Sequence, residues 1–217
     1  MGSPTIDDGP LEATLKDGTL VRFRPITPGD KAWLQRGIEQ MSPESRYRRF
    51  FAPVDHLTDE QLRYFTEVDQ VSHVAWLGYL AGPGDQRAIA VARFVRVPGQ
   101  PEAAEAAVTV IDEFQGRGLG RAMLVVLTRE AIRLGVKRFT MFVLGENQAM
   151  MALLHVAGAT SDGMKDGVYQ MHVDLPDRLE DLDESAAPRV LRAAAEGKLQ
   201  GEIPPGQFWI RFLVGKR

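Results

Sequence analysis

Val108-Thr109-Val110-Ile111-Asp112-Glu113-Phe114-Gln115-Gly116-Arg117-Gly118-Leu119-Gly120 is the stretch on which the reading of this chain turns. Its first four residues are β-branched, the signature of a strand. Its last five alternate glycine with other residues, directly ahead of the aliphatic run Ala122 to Leu127. Glycines 116, 118 and 120 remove side chains where the backbone turns sharply, so main-chain N–H groups face outward. At the start of a helix those groups have no intrahelical partner, and the helix dipole adds partial positive charge. Such a turn cradles a phosphate or pyrophosphate, and Arg117 and Arg121 add cationic partners for its oxygens.

Two familiar phosphate loops fit poorly. A Walker loop needs Lys-Ser/Thr after its last glycine, where Arg121-Ala122 stands. A dinucleotide fingerprint needs its third glycine one position later, at Arg121; only Glu146 mimics its ribose-binding acid. The flanking elements decide further. Upstream, Val74–Leu80, Ala88–Val97 and Ala104–Ile111 read as strands separated by short turns rich in Gly and Pro, which predicts antiparallel pairing. Downstream come a helix to about Leu134, a strand Phe139–Leu144, a helix Asn147–Val156 and a strand Gly167–Val173. The strand–helix–strand order across the loop requires a crossover, so those two strands are expected to be parallel. Before the meander, Leu20–Arg24 alternates as a strand, and Thr27-Pro28, Ser42-Pro43 and Thr58 each carry a helix start signal.

Composition bounds the rest. The 217 residues carry 26 Lys and Arg against 29 Asp and Glu, a formal net charge of −3, which argues against a nucleic-acid partner. Hydrophobic residues at 44% support a packed core. There is no cysteine, which excludes disulfides and thiolate chemistry and suits a cytoplasmic setting. No run reaches the roughly 20 apolar residues of a membrane span, and the acidic N-terminus is unlike a secretory signal. Residues 1–13 read as a flexible tail, 14–175 as one domain, and 176–217 as an extension. That extension holds an acidic linker, a short helix Ala187–Glu196 and a hydrophobic strap around Phe208, Trp209, Phe212 and Leu213, expected to pack on the domain or in a homodimer.

The loop and the order of elements over about residues 18–175 resemble the GNAT N-acetyltransferases, whose motif A reads Gln/Arg-x-x-Gly-x-Gly/Ala after a strand. The resemblance implies an α/β (α+β) GNAT fold: a mixed, mostly antiparallel sheet with a splayed parallel strand pair around the coenzyme A site. It implies acetyl-CoA as cosubstrate and no metal. Val108, Thr109 and Val110 would pair with the pantetheine arm. Gln115, Gly116, Arg117, Gly118, Leu119, Gly120 and Arg121 would hold the pyrophosphate. Asn147 would lie near the coenzyme arm, its alternative being a plain helix cap.

Acetyl transfer to an amine needs the amine deprotonated, and a carboxylate can take that proton. Glu105, a charge inside Ala103-Ala104-Glu105-Ala106-Ala107-Val108, is costly to bury on a strand unless it faces a cleft. This run, and the Ser-Pro-Glu-Ser-Arg-Tyr segment at 42–47, resemble the bacterial protein-lysine acetyltransferase branch, where the matching glutamate is the base. The tyrosine that commonly protonates the leaving thiolate is missing from the stretch His155–Thr160, leaving water or His155. No cyclic-nucleotide or ligase-like module is expected alongside. The acceptor implied is a protein lysine; a small-molecule amine acetyltransferase and a non-catalytic acyl-CoA sensor remain the alternatives.

Overall fold

The computed structural model describes residues 11–80 and 87–178. Eight strands form one sheet: β1 Leu11–Thr14, β2 Leu20–Pro25, β3 His73–Leu80, β4 Ala88–Val97, β5 Gln100–Val110, β6 Arg138–Leu144, β7 Thr160–Lys165 and β8 Val168–Asp174. Five helices accompany them: α1 Lys31–Glu39, α2 Pro43–Phe50, α3 Asp59–Thr66, α4 Leu119–Arg133 and α5 Gln148–Val156. The strand order is β1-β2-β3-β4-β5-β6-β8-β7. Every pairing is antiparallel except β5 with β6, as the crossover through α4 demands.

The helix starts read from the sequence are where the structure puts them. Ser42 Oγ accepts from Ser45 N–H, and Thr58 and Gln61 form a reciprocal capping box. Phe51, at φ 57, ends α2 in the left-handed region. The core contains Phe94 and Phe139, whose rings pack 5.7 Å apart, together with Leu77, Ile89, Leu119, Met123, Leu127 and Leu154. Helix α4 lies so close on the sheet that a Cβ at Gly78 of β3 would come 3.0 Å from Met123 Sδ.

Three elements differ from expectation. Strand β1 begins at Leu11, inside the stretch read as a tail, because Leu11 to Thr14 pair with Leu20 to Phe23. Strand β5 starts four residues earlier than its alanines suggested, directly after a tight turn at Pro98-Gly99. Strand β7 had no signature at all. It is exposed throughout and polar but for Gly163 and Met164, and its pairing with β8, rather than burial, makes it a strand. The Ala187–Glu196 helix and the 208–214 strap lie outside the described residues. Among the described residues no helix is long and apolar enough to cross a membrane.

Candidate active site

The parallel pair is short. Ala103, Ala104 and Glu105 of β5 face Arg138, Phe139 and Thr140 of β6. Beyond Glu105 the strands part: β5 continues to Val110 paired only with β4, while β6 continues to Leu144 paired with β8. From Ala106 onward the outer backbone edge of β5 therefore faces no strand, and Glu105 marks the apex of a wedge. Val108, Thr109 and Val110 lie along that open edge, opposite Ala92, Val91 and Ala90 of β4. The Thr109 hydroxyl accepts from Arg49 Nε on α2 at 2.7 Å.

At the mouth of the wedge, β5 runs through a short 3-10 turn, Asp112–Phe114, into the glycine loop. Gly116 at φ 72 and Gly118 at φ 91 adopt the left-handed conformation that turns N–H groups outward at the start of α4, and a Cβ on either would meet open space. Gly120 is different. It lies in the first helical turn, and a Cβ there would make only an ordinary 3.8 Å contact with Val110, so the fold itself does not require glycine at 120. Leu119 is fully buried and anchors the helix in the core.

The side chains of the loop have other duties. Gln115 is folded back, its amide nitrogen within reach of Ser45 Oγ (3.2 Å), the Val110 carbonyl (3.1 Å) and Asp112 Oδ1 (2.9 Å). Asp112 in turn accepts from Ser42 N–H at 2.9 Å. The loop is thus tied to the start of α2. Arg117 pairs with Asp17 of the β1–β2 turn at 2.6 Å and stacks 4.8 Å over Phe114. Arg121 makes no hydrogen bond or ion pair among the described residues, and burial depresses its pKa. It is the loop cation that the fold leaves uncommitted. Asn147 caps α5, its Oδ1 accepting from Met150 N–H at 3.2 Å.

Glu105 stands apart from these braced groups. Its Oε2 is buried with no hydrogen-bond partner among the described residues. Burial alone pushes its carboxyl up to about 7, since the ionised form loses water and gains nothing in return. On the same face lie groups the sequence did not reveal. Arg93 of β4 directs its guanidinium to the Phe65 carbonyl (3.3 and 3.2 Å) and to His73 Nε2 (3.0 Å). Burial pulls Arg93 down to about 9 and Arg49 to about 10. Burial, reinforced by the Arg93 charge, holds His73 neutral at about 3. Tyr64 of α3 is raised by burial first, and it feels the charges of Arg93, Glu105 and Arg49. His155 is exposed at the end of α5, and Glu113 is paired outward with Arg87. Only their side-chain directions could have signalled this, and a residue list carries none.

A splayed strand pair, a main-chain turn opening a helix and an unpartnered carboxyl at the apex make the arrangement of an acyltransferase that takes its acyl group from coenzyme A. The family model for acetyltransferases (GNAT) matches residues 41–159, more than half of the chain, and the chain belongs to that family. Acetyl-CoA is the acyl donor of the family. "Acetyltransferase Pat" of Mycolicibacterium smegmatis is 36% identical over 167 residues, 77% of this chain and 49% of that protein; the chain thus spans about half the length of this relative. The crystal structure of the GNAT domain of S. lividans PAT superposes with a TM-score of 0.70 at 35% identity, over 76% of this chain and 97% of that one. A cAMP-binding acyltransferase from Mycobacterium smegmatis gives 0.55 at 32% identity, covering 86% and 56%.

Proposed function

We propose that this chain moves the acetyl group of acetyl-CoA to the side-chain amine of a protein lysine by direct attack, with Glu105 as general base. The observation that carries the reading is the half-buried Glu105 carboxyl, its buried Oε2 unpartnered among the described residues, at the point where β5 and β6 separate. An ammonium has no lone pair, so the acceptor must lose a proton before it attacks, and a base poised near 7 is matched to that task at neutral pH. The open edge of β5 offers main-chain donors for the coenzyme arm and for the thioester oxygen as charge develops on it. Val108, Thr109 and Val110 supply that edge. The main chain of Gln115 to Gly120 holds the pyrophosphate, and Arg121 is the cation that answers it. Asn147 supports the site as a cap rather than as a ligand.

The lysine acceptor draws on the likeness to "Acetyltransferase Pat" and on the resemblance of the Glu105 run to the protein-lysine branch of the family. A cytoplasmic setting, where acetyl-CoA and lysine-bearing proteins meet, belongs to the same reading. Radiolabelled acetyl-CoA is incubated with cell-lysate proteins in one arm, and with polyamines, amino acids and aminoglycosides in the other. Label on lysine side chains, lost with Glu105→Gln while coenzyme affinity stays, is the expected result. Transfer to small amines alone overturns the protein acceptor, and coenzyme binding without any transfer leaves an acyl-CoA sensor.

A further inference from the structure

Glu105 belongs to a row of polar side chains that crosses the sheet. Parallel pairing sets Glu105 beside Thr140, and antiparallel pairing sets Thr140 beside His172. Paired residues project from the same face of a pleated sheet, so the three stand in line. Thr140 Oγ1 is 3.1 Å from His172 Nδ1, and His172 Nε2 is 2.8 Å from Asp162 Oδ2 of β7. Gln170 Nε2 lies 3.4 Å from the same Asp162 oxygen.

The chemistry of the groups gives this row a direction. The Asp162 carboxylate can only accept, so His172 carries its proton on Nε2 and presents a lone pair at Nδ1. Thr140 therefore donates its hydroxyl proton to Nδ1, and its oxygen keeps lone pairs for a donor on the other side. Glu105 Oε2 has no hydrogen-bond partner among the described residues, and an ionised carboxylate is no donor. Protonated Glu105 is one. At the far end Asp162 is 67% exposed while His172 is 15% exposed, so the row runs from a half-buried carboxyl out to water.

We propose that Thr140, His172 and Asp162 form the exit line for the proton that Glu105 takes from the acceptor amine. The Glu105 O–H bond breaks as a new O–H bond forms at Thr140 Oγ1, and the original Thr140 O–H bond breaks as an N–H bond forms at His172 Nδ1. Glu105 is left as the carboxylate, ready for the next acceptor. His172 is left as an imidazolium beside the Asp162 carboxylate until a proton passes to solvent. With an acceptor filling the wedge, this line gives Glu105 a way out that does not cross the substrate. The inference rests on Glu105 being the base.

Other charged groups surround the line. Tyr64 of α3, Arg49 of α2 and Arg93 of β4 lie on the Glu105 side, and the Arg138–Asp174 pair flanks the His172 end. None is altered by the test. Thr140→Val keeps the shape and removes the hydroxyl; Thr140→Ser restores a hydroxyl; His172→Gln removes the titrating ring. Each is assayed on the full chain with acetyl-CoA and the amine that turns over above, beside Glu105→Gln. We expect Thr140→Val and His172→Gln to lower kcat about tenfold and to enlarge the solvent deuterium isotope effect, with KM for acetyl-CoA within about twofold. A small diffusible buffer such as imidazole should restore part of the rate, and Thr140→Ser should stay near the unaltered chain. Thr140→Val with unchanged rate and isotope effect, or losses without buffer rescue that Thr140→Ser shares, overturns the exit line while an inactive Glu105→Gln leaves the base standing. A fully active Glu105→Gln overturns the base itself, and the line with it.

Discussion

Replacing Glu105 by Gln should make the protein more stable and far less active at once. Burial lifts this carboxyl from 4.5 to about 7. A carboxyl whose pKa is higher in the folded chain contributes stability that is fully present below its unfolded value and is lost as pH rises through the folded value. Above pH 7 the folded protein thus carries an ionised group that it would hold more easily protonated. The full shift corresponds to about 3 kcal/mol, and partial solvent contact reduces the usable figure to about 2 kcal/mol. Glutamine is neutral at every pH and escapes this penalty. At pH 8 the variant should melt about 4–8 °C higher than the unaltered chain, and the gap should narrow towards pH 5. Turnover should fall by about two to four orders of magnitude, the usual worth of a positioned base. In the unaltered chain kcat/KM should fall about fivefold between pH 7 and pH 6, because protonation removes the base. Thermal melts at pH 8 and pH 5, with steady-state rates on the same samples, provide the measurement. A variant that is less stable at pH 8, or that keeps its rate, refutes the picture of an unsolvated base at the apex.

Three further outcomes follow from the loop and its braces. Gly118→Ala places a side chain at φ 91, which should cost about 1 kcal/mol of stability and weaken acetyl-CoA binding at least tenfold by calorimetry; unchanged affinity would remove the main-chain cradle from the argument. Gln115→Ala frees Ser45, the Val110 carbonyl and Asp112 from their shared donor and should lower stability by about 1–2 kcal/mol in urea titration, whereas a loss of coenzyme affinity with stability intact would make its side chain a ligand. Asn147→Ala should cost about 1 kcal/mol as a lost cap with coenzyme affinity unchanged, and Asn147→Ser should recover that stability; a selective loss of affinity would return Asn147 to the coenzyme arm.

What could be read in the residues and what could not divide along a physical line. The glycine loop was legible because its demands are local: positive φ at 116 and 118, and a helix starting immediately after. Glu105 was legible because a charge among alanines is costly on any strand, wherever its neighbours come from. The environment of Glu105 was not. Its row partners Thr140 and His172 arrive through two strand registers and an intervening crossover, and a one-residue slip in either would send them to the opposite face. Arg117 was legible as a loop cation, whereas its ion-pair partner Asp17 lies a hundred residues away and carries no local signal. The same holds for β7, whose polar residues signal nothing until β8 is beside them. Asp162, on that unsignalled strand, is the group that fixes the His172 tautomer. The part of the site hardest to foresee is thus the part that gives the polar row its direction. A register-shifting insertion between β7 and β8 should therefore disturb the pH profile of turnover before it disturbs coenzyme binding, since the cradle at Gly116 to Gly120 is built from a different part of the chain.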